Sequence, residues 1–185
     1  DWVRLITLAE EKASRLAAAE AEMQKKKAQA EKDILRERTL SLAPDAAKMQ
    51  AVQKLRLSRE GISVMIIEDD IFTGKLVSGV LSTQFSVSAA ETGAEALRRY
   101  AAIAPDVVFL DIELPDVSGH DILKKLLEVD PQAFVVMLSG NGNRENIMRA
   151  VNMGAKGFIG KPFTKEKLFQ YIGKCPKLET EKAGA

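Results

Sequence analysis

The chain has one cysteine and one histidine in 185 residues. A lone thiol, Cys175, excludes an internal disulfide and fits a reducing cytoplasm, and its expected part is that of a small apolar filler. The lone imidazole, His120, leaves no Ser-His-Asp set and no cysteine–histidine spacing for zinc. No apolar run reaches the roughly 18 residues that a membrane span needs. The N-terminus mixes acids with bases in a helical pattern, which excludes a secretory signal. Nor is there an excess of one charge, since the net value is +1. Residues 1–60 hold 13 Lys and Arg against 10 Asp and Glu, and residues 61–185 hold 14 against 16. Neither part has the basic character that nucleic acid asks for, and the Lys25-Lys26-Lys27 run has acids around it and no aromatics interleaved.

Glycine and proline are missing from residues 1–43, which are rich in Ala, Glu, Lys, Arg and Leu, the best helix formers. A 4-3 spacing runs through Trp2, Ile6, Ala9, Ala13, Leu16, Glu20, Met23, Lys27, Ala30 and Ile34. This is a heptad seam interrupted by Glu20 and Lys27. It can pair with a second copy, pack on a neighbouring domain or stand as a solvated helix; a helical dimer, parallel or antiparallel, is the leading expectation, because polar residues within a seam set register. Pro44 breaks the pattern, and a second helix is expected from Asp45 to about Leu57, closed by Gly61. Residues 1–60 therefore read as a helical hairpin or kinked rod. The first residue is not Met, which fits a processed chain or a piece of a longer one.

From Ile62 the texture changes to alternating strand and helix signals. Strands are expected at Ile62–Ile67, Phe85–Ala89, Val107–Leu110, Phe134–Leu138 and Gly157–Ile159. Helices follow at Ile71–Thr83, Thr92–Ile103, Ser118–Glu128, Arg144–Met153 and Thr164–Lys174. Five such pairs in about 115 residues specify a doubly wound α/β fold, a five-stranded parallel sheet with helices on both faces. Residues 175–185, small or charged, are expected to fray.

Reactive side chains recur where strands end. The first strand runs into Glu68-Asp69-Asp70, the third into Asp111, the fourth into Ser139 and the fifth into Lys161-Pro162. In a right-handed wound sheet those ends share one edge, so these residues converge on a single crevice. Crowded carboxylates repel unless they are protonated or share a cation, and oxygen ligands of this kind suit Mg²⁺. Lys161 supplies a point charge for a phosphoryl oxygen, Ser139 a neutral donor, and a carboxylate is itself a nucleophile toward phosphorus. The set describes a site for phosphoryl transfer onto Asp111.

Residues 62–174 resemble the receiver domain of two-component response regulators. The matching stretches are Ile-Ile-Glu-Asp-Asp, Leu-Asp-Ile-Glu-Leu-Pro-Asp-Val-Ser-Gly, Met-Leu-Ser-Gly and Gly-Phe-Ile-Gly-Lys-Pro-Phe, in order. The resemblance implies a flavodoxin-like sheet of order 2-1-3-4-5. It implies Asp111 as phosphoacceptor and Glu68 with Asp69 as the acidic pair. Mg²⁺ would be held by Asp69, Asp111 and the backbone carbonyl of Glu113. Ser139 and Lys161 would bind the phosphoryl group, Phe158 would turn inward with Ser139, and Pro162 would follow a cis peptide. Asp70 falls outside the acidic pair and reads as a helix cap. Glu113 and Asn141 occupy positions that tune phosphate lifetime in receivers, and Phe158 stands where a Tyr is sometimes found.

His120, expected at an exposed position opening the third helix of this domain, is no candidate for a phosphorylated histidine, so the chain is not a kinase core. The resemblance makes it a phosphoacceptor with Mg²⁺-dependent self-phosphorylation and dephosphorylation rather than an independent enzyme. Its phosphoryl donor would be a sensor histidine kinase or a phosphotransfer protein. No room is seen for an output domain after Lys174, which leaves the receiver surface or the N-terminal helices to carry the output, the latter through a homodimer. Two alternatives stay open: a scaffold that works through its N-terminal helices with Asp111 idle, and a receiver fragment of a hybrid histidine kinase.

Overall fold

The structure, a computed structural model, describes residues 1–178. Its elements in order are α1 (Trp2–Leu40), α2 (Ala46–Ser58), β1 (Ser63–Ile67), α3 (Ile71–Leu81), β2 (Ser86–Ala90), α4 (Gly93–Ile103), β3 (Val107–Asp111), α5 (Gly119–Val129), β4 (Val135–Ser139), α6 (Arg144–Asn152), β5 (Gly157–Gly160) and α7 (Lys165–Ile172). Residues 179–185, part of the expected tail, lie outside the described residues.

The strands form one parallel sheet in the order β2-β1-β3-β4-β5. Their side chains alternate between two cores. Met65, Ile67, Val108, Leu110, Val135 and Met137 face α4, α5 and α6 through Leu97, Tyr100, Leu123, Leu126 and Ala150. Val64, Ile66, Val107, Phe109, Val136 and Leu138 face α3 and α7 through Val77, Leu81, Leu168 and Ile172. Every residue of β1, β3 and β4 is buried, which is why Val64–Ile67, Val107–Leu110 and Val135–Leu138 read as unbroken apolar runs.

Helix boundaries follow local chemistry. Asp45, Asp70, Thr92, Ser118 and Asn143 each accept a backbone N–H from the first turn of the helix they precede. Asp70 is thus the cap expected of it: it takes the Thr73 N–H at 3.0 Å and also the Thr73 hydroxyl.

Contacts divide the chain into two units, Asp1–Glu37 and Arg38–Ala185. The first is helix, with every side chain exposed. The boundary differs from the expected one near residue 60, and the reason is α2. Met49 and Val52 are buried in the core that α4 and α5 line, and Leu40, Leu42 and Ala43 pack at its margin. The weak polarity contrast along α2 hides this packing in the sequence.

The expected frayed tail is also corrected over its first residues. Cys175 is buried in the second core, and the Lys177 ammonium donates to the carbonyls of Arg56, Arg59 and Gly61 at 2.8–3.0 Å. These contacts fasten the segment after α7 to the end of α2.

Candidate phosphoryl-transfer site

Parallel register gathers the reactive side chains. Ile67 lies opposite Leu110, so Glu68 follows β1 at the level of Asp111 on β3. Asp111 lies opposite Leu138, Ser139 lies opposite Gly160, and Lys161 comes next. Backbone bonds fix the loops leaving these ends: Glu68 N–H donates to Ala90, Ile112 N–H to Leu138 and Lys161 N–H to Ser139.

The carboxylate oxygens of Glu68, Asp69 and Asp111 include a set lying within 4.8 Å of one another, Asp69 exposed and the other two buried. Lys161 Nζ sits between the buried pair, 2.6 Å from Glu68 Oε2 and 2.8 Å from Asp111 Oδ2. The other Asp111 oxygen, Oδ1, accepts the Glu113 N–H at 3.2 Å. Glu113 itself is exposed, so its carboxylate reaches solvent beside the site.

The electrostatics follow from burial and crowding. Burial pushes the Glu68 carboxyl up to about 7 against the opposing pull of Lys161, with Asp111 adding to the rise. Burial disfavours the Lys161 ammonium, but the Asp111 and Glu68 carboxylates outweigh it and hold its pKa above the ordinary value. The result is an all-oxygen donor set, incompletely neutralised by one ammonium and open to solvent at Asp69. This fits a hard divalent cation such as Mg²⁺.

Ser139 is buried at the end of β4, with its hydroxyl oxygen accepting the Asn141 N–H at 3.0 Å. Phe158 is half-buried on β5 at the margin of the first core, with its ring edge near Gly142 in the loop after Ser139. The Lys161–Pro162 peptide is cis. Gly119 closes the loop after β3: its N–H donates to Ile112 at 2.7 Å, and a Cβ on it would lie 2.0 Å from the Asp111 carbonyl oxygen. His120 departs from expectation. It is 2% exposed, buried between its own helix and the start of α6, and burial lowers its pKa.

The chain matches the family model of the response regulator receiver domain over residues 64–173. The chain belongs to the response regulator receiver family. Among similar receivers, the chemotaxis protein CheY of Listeria monocytogenes is 33% identical over 118 residues, covering 63% of this chain and 99% of the relative. CheY of Bacillus subtilis is 34% identical over 113 residues, covering 60% and 94%. Of solved structures, a CheY-like receiver from Methanospirillum hungatei JF-1 has a TM-score of 0.61 at 25% identity and covers 68% of this chain and all of that one. A CheX-CheY-BeF3-Mg complex from Borrelia burgdorferi gives 0.58 at 31% identity, with coverage of 61% and 87%. Receiver membership carries a phosphoacceptor role in two-component signalling. Residues 1–63 lie outside the family match.

Other residues that organise this receiver gave no motif signal. Arg56, Arg59, Asp106 and Asp130 each stand alone in the sequence, and the approach of α2 to α4 and to the start of β3 gives them partners. Asp116 lies within a matching stretch, but its pairing with the start of α4 is seen only in the fold. Asp130 follows α5 and is wholly buried, an environment in which a carboxylate needs a counter-ion; a buried acid has no signature in one sequence.

Proposed function

We propose that this receiver takes a phosphoryl group on Asp111 from the phosphohistidine of a sensor histidine kinase or a phosphotransfer protein, in a Mg²⁺-dependent reaction in the cytoplasm. The observation that carries the reading is Lys161 Nζ bridging Glu68 and Asp111 beside exposed Asp69. A carboxylate oxygen of Asp111 attacks phosphorus, the donor P–N bond breaks with its electron pair leaving on imidazole, and a C–O–P linkage forms. Asp69, Asp111 and the Glu113 carbonyl would hold the ion. When bound, Mg²⁺ supplies positive charge against the phosphoryl oxygens.

The protein's own groups do the rest. Lys161 exchanges its bonds to Glu68 and Asp111 for one to a phosphoryl oxygen, and the Ser139 hydroxyl donates to another. Because Lys161 is then drawn to the phosphoryl group, Glu68 loses its ammonium partner beside Asp69. Hydrolysis returns the carboxylate, with water attacking phosphorus and inorganic phosphate leaving. Movement of Ser139 frees space beside Gly142 into which Phe158 turns, shifting a two-state equilibrium of α6, β5 and α7. A full switch needs differential stabilisation of roughly 5 kcal/mol, which charge-assisted bonds to Ser139, Lys161 and the ion can supply between them. The output is partner binding through the receiver surface, or association of two chains through α1.

The test is incubation of the whole chain with acetyl phosphate, or beryllofluoride, and Mg²⁺. Phosphorylation that is lost in Asp111→Asn supports the reading. Intact protein that takes up no phosphoryl group at any Mg²⁺ concentration overturns it.

A further inference from the structure

Helix α4 is held at both ends by charged side chains from elsewhere in the fold. At its N-terminus Asp116, in the loop between Asp111 and α5, accepts the Gly93 N–H on one oxygen at 2.9 Å and the Ala94 N–H on the other at 2.7 Å. At its C-terminus two arginines from the end of α2 take three successive carbonyls. Arg59 donates to Ile103 at 3.0 Å and Ala104 at 2.8 Å, and Arg56 donates to Pro105 at 2.9 Å. An anion at the positive end and cations at the negative end both suit the helix dipole, and each satisfies backbone groups that a helix leaves unpaired.

The clamps are specific. Gly93 is packed so closely on the loop that a Cβ would come within 2.4 Å of the Val117 side chain. Near the other end, the buried Tyr100 hydroxyl donates to Asp130 at 2.8 Å and accepts from Arg56 at 2.9 Å, while Arg56 also meets Asp130 at 2.6 Å. Ala104, which closes α4, sits at φ 45° in the left-handed region, where its carbonyl is presented to Arg59.

We propose that α4 is a strut that couples the loop after Asp111 to α2, with Asp116 the positioning residue at its head and Tyr100 the contact at its foot. This rests on the proposed role of Asp111 and names a route by which that site is read. The loop carries Glu113, whose carbonyl would be an ion ligand, three residues before Asp116. A shift of the loop on ion binding or phosphorylation is passed through two hydrogen bonds to a rigid helix of three turns, and so to the arginines that dock α2. The output of the site then includes the segment that precedes the receiver, besides the α6–β5–α7 face. Coupling of this kind is reciprocal, so the docking of α2 also sets the affinity of the site.

Hydrogen exchange on the full chain, with and without Mg²⁺ and beryllofluoride, tests the strut. Fluorine resonance of bound beryllofluoride reports occupancy of Asp111 independently. Saturation should change amide protection in residues 46–58 by at least about five-fold, the low end of ordinary site-to-site coupling. Asp116→Ala should abolish that change while the fluorine signal remains, and Asp116→Asn, which keeps one acceptor, should leave part of it. Tyr100→Phe should shift the apparent Mg²⁺ dissociation constant although it lies at the far end of α4. Unchanged α2 protection in a beryllofluoride-bound wild type overturns the strut and leaves the site reading intact. A response that persists in both Asp116→Ala and Tyr100→Phe overturns it too, and no fluorine signal in the wild type removes the site reading and the strut together.

Discussion

Lys161 Nζ lies 2.8 Å from Asp111 Oδ2, and the same ammonium contacts Glu68 at 2.6 Å. Without an ion it holds two buried acids together. Lys161→Met should therefore lower the stability of the ion-free protein by about 1–3 kcal/mol, the cost of leaving buried acceptors unpaired. Added Mg²⁺ should stabilise the variant more than the wild type, because the ion no longer competes with an ammonium. Urea unfolding with and without Mg²⁺ checks this, and an equal increment in both proteins would oppose it.

The raised pKa of Glu68 gives a stability that depends on pH. Its folded value of about 7 exceeds the ordinary 4.5, so between those limits the folded protein keeps a proton that the unfolded chain has released. The unfolded state then binds fewer protons, and stability falls as pH rises. The contribution is most favourable below the unfolded value and is lost by the time pH passes the folded one. Urea melts of ion-free protein across the range of about 5 to 8 should show the decline, and Glu68→Gln should flatten it. A slope unchanged in Glu68→Gln would assign the effect to another group.

Gly119→Ala tests how closely the loop is seated on Asp111. The added Cβ would stand 2.0 Å from the Asp111 carbonyl and 2.8 Å from the Ile112 Cα, both backbone atoms. Backbone cannot yield as a side-chain tip can, so the loop must shift and Asp111 with it. We expect beryllofluoride binding to weaken at least about ten-fold, because a displacement near 1 Å costs that much or more at a reacting group. Unaltered binding would mean that the loop relaxes without moving the carboxyl.

The sheet was legible because β1, β3 and β4 are buried on both faces and therefore spelled as short apolar runs, each followed at once by a charged or hydroxyl residue. Parallel winding alone then brings Glu68, Asp111 and Lys161 to one edge, so the candidate site could be assembled before any distance was known. What escaped the sequence was pairing across the fold. Arg56 and Asp130 are 74 positions apart and each is an ordinary charge until α2 lies on α4. His120 reads as a polar residue opening a helix, yet the approach of α6 buries it. Helix α2 was legible as a helix after Pro44, but not its docking: it buries Met49 and Val52 against the receiver, and two side chains in thirteen residues do not say which surface they cover.

The docking of α2 should be worth measurable stability. Arg56 pairs with Asp130, whose side chain is fully buried, and removing one partner of such a pair leaves an uncompensated charge. Because Arg56 is partly exposed, Arg56→Ala should cost about 2–4 kcal/mol, somewhat under the full range for buried pairs. A chain starting at residue 61 should be less stable still, since it also uncovers the surface under Met49 and Val52 and leaves Asp106 without Arg59. A chain starting at residue 38 keeps all of these contacts and should melt like the whole protein. Equal urea midpoints for the chains starting at 38 and 61 would show that α2 contributes nothing to the receiver.

Helix α1 exposes Trp2, Ile6, Leu16, Met23 and Ile34 along the 4-3 seam, each between 56% and 81% accessible. Thirty-nine residues is long enough for five heptads, and a helix of this length with an uncovered apolar seam gains most by burying it against a second copy. Glu20 and Lys27 lie in the same seam, where they weaken association but restrict how two helices can align. Leu16→Lys with Met23→Lys should shift the whole chain to monomer in sedimentation equilibrium. Glu20→Leu with Lys27→Leu should instead tighten association and admit other alignments, seen as species larger than a dimer. A wild type that sediments as a monomer at tens of micromolar, or lysine substitutions without effect on its mass, would remove α1 as the element of self-association and leave the receiver surface to carry the output.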